Sequence, residues 1–263
     1  MPFFEPLFED RRAAGRRLAQ ALSRYQQSDP VVLALPRGGV PVGFEVARAL
    51  AAPLDVLIVR KIGAPGHSEL GLGAVIDGDE PHLVLNEDVI RQVRPPAGYI
   101  EEEKRRQLAE IERRRRRYVG DRPAIPVAGR TAIVVDDGIA TGGTVKAALR
   151  GIARSHPARL VLAVPVAPAD SIAELAGDCD DIVCLATPEP YYAVGPHYRD
   201  FTQTEDDEVI RLLAEARGWS DASTDRGQPQ TAPEQEPAPE ANRRRKNSAA
   251  EPAKHRAAPR RQS

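Results

Sequence analysis

The chain has 263 residues, with 37 Lys and Arg against 38 Asp and Glu and a formal net charge of −1. That length fits one α/β domain with an appendage better than two full domains, and the charge excludes a globally basic nucleic-acid binder. Two cysteines, Cys179 and Cys184, match neither a C-x-x-C pair nor a metal knuckle and read as buried, reduced thiols.

The N-terminus has neither the basic start nor the apolar stretch of a signal peptide. No apolar run nears the ~20 residues of a membrane span, so no membrane contact and a cytoplasmic location are expected. Arg11–Tyr25 has apolar residues at helical spacing, with Asp10 placed as its N-cap. Val31–Leu35 is a short apolar strand ended by Pro36, and Val40–Leu50 returns to helical spacing. Leu54–Val59 is the next strand; Leu72–Ile76 and His82–Leu85 form a shorter pair around Asp77-Gly78-Asp79. Tyr99–Tyr118 is the longest helical pattern. Its Glu101-Glu102-Glu103 and Arg113–Arg117 complement the helix dipole, which reads as a solvated, self-paired helix.

Strand Thr131–Val135, helix Val145–Ala153, strand Leu160–Val166, a helix near Asp170–Ala176, strand Ile182–Ala186 and helix Glu205–Ala216 continue the alternation. Continuous apolar strands between helices predict an α/β fold, a doubly wound, mostly parallel sheet covered on both faces. Residues 1–218 form the expected domain, with 77–125 an insertion carrying the long helix and 187–203 a small hood. Beyond it, 219–263 is rich in Pro, Ala, Gln, Glu and Arg and is expected to be disordered. Arg243-Arg244-Arg245-Lys246 and Arg260-Arg261 could touch nucleic acid or an acidic partner, but a solvated tail is the favoured reading.

The most informative stretch is residues 131–145. An apolar run (Ile133, Val134, Val135) stops at Asp136 and Asp137. A loop of small and hydroxyl residues follows (Gly138, Ala140, Thr141, Gly142, Gly143, Thr144), and then a helix start. Glycines let backbone approach a phosphate, Thr141 and Thr144 offer hydroxyls, and the helix start supplies unpaired N–H groups at a positive dipole end. The carboxylates accept hydrogen bonds only, which suits vicinal ribose hydroxyls.

This string resembles the phosphoribosyl pyrophosphate (PRPP) motif of the type I phosphoribosyltransferases, departing at Gly138, where that family usually carries an aliphatic residue. The resemblance points toward the family's uncharacterised bacterial phosphoribosyltransferases. It implies transfer of the 5-phosphoribosyl group of PRPP to a nucleobase-like acceptor, with Mg²⁺ as cofactor and pyrophosphate released. Asp136 and Asp137 would act on the ribose and through water on the metal, with no residue ligating the metal directly. Pro36-Arg37-Gly38-Gly39-Val40 looks like the family's pyrophosphate loop, with Arg37 adding a permanent charge.

Arg60-Lys61, running into a Gly/Pro-rich stretch with His67, resembles the loop that closes over PRPP, so Arg60 and Lys61 would neutralise pyrophosphate. Catalytic roles are therefore expected for Asp136, Asp137, Lys61 and Arg37. Tyr191 and Tyr192 in the hood would offer a flat face to a small heterocyclic acceptor, with Tyr198 and Phe201 nearby. Ala140 stands where the 6-oxopurine branch carries an Asp, which disfavours hypoxanthine or guanine as acceptor. A homodimer is compatible with the resemblance. The alternative function is a non-catalytic PRPP or nucleotide sensor that regulates or binds nucleic acid.

Overall fold

The computed structural model describes residues 5–78 and 80–224. In chain order it contains α1 (Arg11–Ala21), β1 (Pro30–Ala34), α2 (Gly39–Leu50), β2 (Leu54–Val56), β3 (Val59–Ala64), β4 (His67–Ile76) and β5 (His82–Leu85). Then follow α3 (Glu87–Val93), α4 (Tyr99–Val119), β6 (Thr131–Val135), α5 (Gly143–Ala153), β7 (Arg159–Val166), α6 (Ala169–Leu175), β8 (Asp181–Ala186) and α7 (Asp206–Thr224). Five strands make a wholly parallel sheet in the order β2-β1-β6-β7-β8, and β3-β4-β5 make a separate antiparallel sheet.

The unbroken apolar strands are buried on both faces, as parallel strands with helical crossovers must be. Alternation along each strand then deals its side chains to two cores. Val32, Ala34, Ile133 and Val135 face Leu18, Phe44, Tyr118 and Leu212, from α1, α2, α4 and α7. Val31, Leu33, Ala132 and Val134 face Val145, Leu149 and Ile152 of α5 and Leu175 of α6. The crossover from β1 therefore leaves by one face and that from β6 by the other. These two strands are neighbours, so the topological switch lies between them. In open α/β sheets that is where a crevice opens at the strands' carboxyl ends.

Several expectations change in detail. Leu54–Val59 is not one strand: pairing with β1 ends at Val56, and Val59 opens β3 in the second sheet. The Gly/Pro-rich stretch after Lys61 is not an open loop. It pairs as β3 and β4 around Pro65-Gly66, with a bulge about Gly63, because Gly66 takes the left-handed turn conformation (φ +74°). Helix α3, capped by the Asn86 side chain on the Val89 N–H, was not anticipated. The long helix α4 pairs its own charges on the exposed side, as expected, but also buries Ile111, Tyr118 and Val119 in the core. The last helix continues past Ala216 to Thr224, beyond the expected boundary at 218, and Trp219 packs on Phe44 with ring centroids 4.8 Å apart. Cys179 and Cys184 are free, as expected, but half-buried rather than fully so. The expected basic clusters at 243–246 and 260–261 lie outside the described residues. Among the described residues no helix is long and apolar enough to cross a membrane.

Candidate active site

Strand register brings the two Gly loops level. Ala34 pairs with Val135, and the Leu35 N–H donates to the Val135 carbonyl at 2.9 Å. Pro36–Gly39 and Asp136–Gly138 therefore leave the sheet side by side. A Cβ on Gly38 would run into the Asp137 carboxylate, and one on Gly39 would sit 2.7 Å from the Val135 carbonyl oxygen. Only glycines let this loop lie directly on the acid pair. The Pro36–Arg37 peptide is cis.

The second loop closes onto α5 through Gly142, in the left-handed region at φ +71°, after which Gly143 and Thr144 open the helix. Ala140, Thr141, Gly143 and Thr144 are exposed there, leaving the first-turn N–H groups of α5 facing outward beside the hydroxyls.

Asp136 and Asp137 sit side by side and are both largely withdrawn from water. The Asp137 N–H donates to Asp136 Oδ1 at 2.8 Å, and Arg11 Nε donates to Asp137 Oδ2, also at 2.8 Å. Burial, and then the charge of Asp137, push the Asp136 carboxyl well above the usual carboxylate range. Burial raises Asp137 too, against the pull of the Arg11 guanidinium.

Arg11 had no part in the sequence-based site. It comes from α1, lies with its guanidinium 3.9 Å from the Phe201 ring centre, and donates to the Thr202 carbonyl at 2.7 Å. One arginine thus joins the acid pair to the far side of the hood. Its only signal in the sequence is a cation just inside the first helix.

The hood reaches the same place by its aromatics. Tyr198 donates its hydroxyl to the Asp137 carbonyl at 2.6 Å, and Tyr191 donates to the Ile139 carbonyl at 2.7 Å. Burial pushes the Tyr191 hydroxyl up to about 12 and raises Tyr198 further, so both stay protonated donors. Tyr191 also stacks on His197 at 5.2 Å, so its ring is committed to packing. Tyr192, next in sequence, is 81% exposed and presents an open face. Gly138 has a reason to lack a side chain: a Cβ there would lie 2.5 Å from Val194 of the hood. The departure from the aliphatic residue makes room for this hood.

The cations divide. Along β3, Arg60 and Lys61 point to opposite faces. Arg60 Nε donates to Gln107 Oε1 of α4 at 2.8 Å. Lys61 lines a cavity of about 690 Å³ between the β3-β4-β5 sheet and the start of α5, together with Thr144, Lys146 and Asn86. Arg37 leaves the pyrophosphate-type loop sideways, its Nη1 3.5 Å from Glu205 and 3.7 Å from Asp206 at the start of α7. The structure brings together Arg37, Gly38, Gly39, Asp136, Asp137 and the 138–144 loop; it sets Lys61 beside Thr144 and turns Arg60 away.

Residues 82–199, which include the acid pair, its loop and most of the hood, match the family described as a phosphoribosyl transferase domain. The crystal structure of TT1426 from Thermus thermophilus is 44% identical, covering 79% of this chain and 98% of that one with a TM-score of 0.70. The chain belongs to the type I phosphoribosyltransferase family. A Mycobacterium tuberculosis (strain H37Rv) protein provisionally named a phosphoribosyl transferase is 53% identical over 211 residues, 80% of this chain and 47% of that protein. The chain spans about half the length of the curated relatives it matches.

Proposed function

We propose that the chain transfers the 5-phosphoribosyl group of PRPP to a nucleobase-like heterocyclic acceptor and releases pyrophosphate. The observation that carries this reading is the seating of Gly38 and Gly39 directly on Asp136 and Asp137 at the switch between β1 and β6. A ligand with a ribose between two phosphate groups would span this crevice. The 5-phosphate would meet the exposed N–H and hydroxyl groups of 140–144. The ribose hydroxyls would donate to the acid pair, and the diphosphate would lie on the backbone of Arg37–Gly39.

The chemistry is displacement at ribose C1: the bond to pyrophosphate breaks while an acceptor nitrogen bonds to that carbon. Positive charge develops on the ribose and negative charge on the leaving group, so the protein's contribution is electrostatic. Asp136 and Asp137 favour the cationic ribose; Lys61 faces the leaving group once the β3–β4 hairpin closes, and Arg37 reaches it by turning its side chain from Glu205 and Asp206 toward the crevice. Two neighbouring carboxylates at a strand end suit Mg²⁺ that arrives with substrate and keeps its waters, and among the described residues no group of three or more potential ligands would cage it. Such an ion would offset charge on the diphosphate. Tyr192 supplies the open aromatic face for the acceptor, and Ala140 supports an acceptor other than a 6-oxopurine. Arg60 acts on the position of α4 rather than on pyrophosphate.

Release of pyrophosphate from PRPP with Mg²⁺, measured across purines, pyrimidines and simple amines, is the test. Saturable turnover with at least one acceptor is expected. Calorimetric binding of PRPP without turnover on any acceptor would support a sensor instead, and no binding at millimolar PRPP would overturn both readings.

A further inference from the structure

Arg37 points away from the acid pair into an open basin of about 230 Å³ lined by Arg113, Arg114, Arg117, Tyr118 and Asp206. Its arginines come from the run that closes α4, and their grouping is fixed by the helix. Positions 113, 114, 117 and 118 share one face at helical spacing. Arg115 points the other way, holding Asp55 at 2.7 Å and Asp77 at 2.9 Å beneath the helix. That buried clamp sets the rotation of α4 and leaves the other guanidiniums turned toward Arg37.

The basin is under-compensated. Arg113 and Arg114 share one carboxylate, Glu110, at 2.8 and 2.7 Å. Arg117 reaches Asp206 Oδ2 at 2.8 Å, and Tyr118 donates to Asp206 Oδ1 at 2.8 Å. Among the described residues, Arg37 makes only the two longer approaches to Glu205 and Asp206. Each guanidinium carries five N–H donors and uses one or two of them here, so most of the forked donor set remains for a ligand. Four guanidiniums against three carboxylates, Glu110, Glu205 and Asp206, leave a net positive concave space of this size, and its unused N–H donors match a short run of phosphates. A nucleic-acid strand would need a longer groove.

We infer that this basin binds a compact polyphosphate, either inorganic or the phosphate tail of a nucleotide, and that the bound anion draws on Arg37. The binding part stands by itself. Its consequence for catalysis rests on the function proposed above: an anion held by Arg37 in the basin competes with the role of that guanidinium at the leaving group, so occupancy weakens PRPP binding.

Calorimetry of the full-length chain with tripolyphosphate, comparing wild type and the double variant Arg113→Gln/Arg114→Gln, tests the inference. Both side chains reach solvent, and a circular-dichroism melt checks that the fold is kept. The tripolyphosphate Kd should weaken at least about tenfold, the scale of one charge-assisted hydrogen bond. PRPP affinity measured alone should stay within about twofold. The double variant Arg113→Lys/Arg114→Lys, which keeps charge but loses the fork, should fall between the two and serves if the Gln variant melts early. ATP binding more tightly than tripolyphosphate would assign the nucleotide source, and equal affinities the inorganic one. Tripolyphosphate should also weaken PRPP binding more in wild type than in the Gln variant.

Equal tripolyphosphate affinity in wild type and both variants would overturn the site. So would an equal loss of PRPP and tripolyphosphate affinity, which would put these arginines in the PRPP crevice. Arginine-dependent binding of an RNA oligonucleotide in place of tripolyphosphate would likewise overturn it. Arginine-dependent tripolyphosphate binding in a chain that never binds PRPP would keep the basin and sink the transferase reading.

Discussion

Two pairs of withdrawn carboxylates in this molecule are each held by one arginine, and they are built differently. Arg115 reaches both of its acids, Asp55 and Asp77, and Asp55 also accepts the backbone N–H groups of Val56 and Ile125. Arg11 reaches only Asp137; Asp136 receives a backbone N–H from its own neighbour. Around the first pair the partners are packed side chains, while the second lies under a glycine loop with nothing bulky between it and the crevice. A buried acid pair saturated from within fastens one element to another. A pair left half-satisfied beside an opening keeps oxygens free to accept hydrogen bonds from a ligand.

Removing the arginine should separate the two most sharply. Arg115→Ala strands Asp55 and Asp77 without their cation and unfastens α4 from the sheet, so a loss of about 3–5 kcal/mol of stability is expected in denaturant melts. Burial already outweighs the guanidinium at Asp77, whose carboxyl lies above its ordinary range, which is why the remaining acids could not stay charged without it. A midpoint close to wild type would show that α4 is held by its apolar residues alone.

Asp137→Asn should do the reverse. It removes charge from the ribose position and should lower kcat/KM about 10²-fold, the scale for one preorganised electrostatic group, with a far smaller change in stability. Asp55→Asn should show the opposite pattern. If Asp137→Asn melts early yet turns over normally, the pair is a fastening too.

The difference between the pairs was half visible in the sequence. Asp136-Asp137 followed by Gly138, Thr141, Gly142, Gly143 and Thr144 is contiguous, so a strand, its end and its loop could be read together. The alternation of apolar strands and helices likewise gave the parallel sheet. Arg11 could not be read: it meets Asp137 across 126 positions of chain, and nothing local sets it apart from Arg12 or Arg16. Asp55, Asp77 and Arg115 are scattered in the same way. The split between Arg60 and Lys61 was legible in principle, because residues adjacent in a strand face opposite ways. It was missed since Gly63, Pro65 and Gly66 suggested an open loop, whereas they serve a bulge and a tight turn inside a hairpin. Tyr191 and Tyr192 sit next to each other, yet one is fixed by a hydrogen bond and the other is bare; only tertiary packing decides that.

Arg11 offers a finer test. Its guanidinium lowers Asp137 against the effect of burial, so Arg11→Met should move the acidic limb of the kcat/KM profile to higher pH. Arg11→Lys should restore part of the shift, since charge returns without the fork or the stacking on Phe201. A profile that only drops in height, with its limb unmoved, would mean that Arg11 braces the hood and does not tune the acids.

The smallest effect is on stability against pH, and its sign follows from the direction of each shift. Asp136 and Asp137 bind protons more tightly folded than unfolded, so their contribution is fully present below the unfolded value of about 3.9 and is lost as pH rises through the folded values. Glu110, lowered to about 2 by Arg113 and Arg114, and Asp181, lowered by Tyr25 and Arg24, act oppositely. Their contribution is present above the ordinary carboxylate range and fades only as pH falls below it. The two windows barely overlap. Above the ordinary carboxylate range the raised acids dominate among these carboxylates, and their contribution should lift the wild-type melting temperature as pH falls through their folded values. Asp77 is raised as well and belongs to the fastening pair, so single variants are needed to apportion the slope. Asp136→Asn should flatten it more than Asp77→Asn, because Asp136 has a like charge beside it and no guanidinium of its own. The same slope in wild type and Asp136→Asn would place its origin at Asp77, and the acid pair at β6 would then be no more strained than the one under α4.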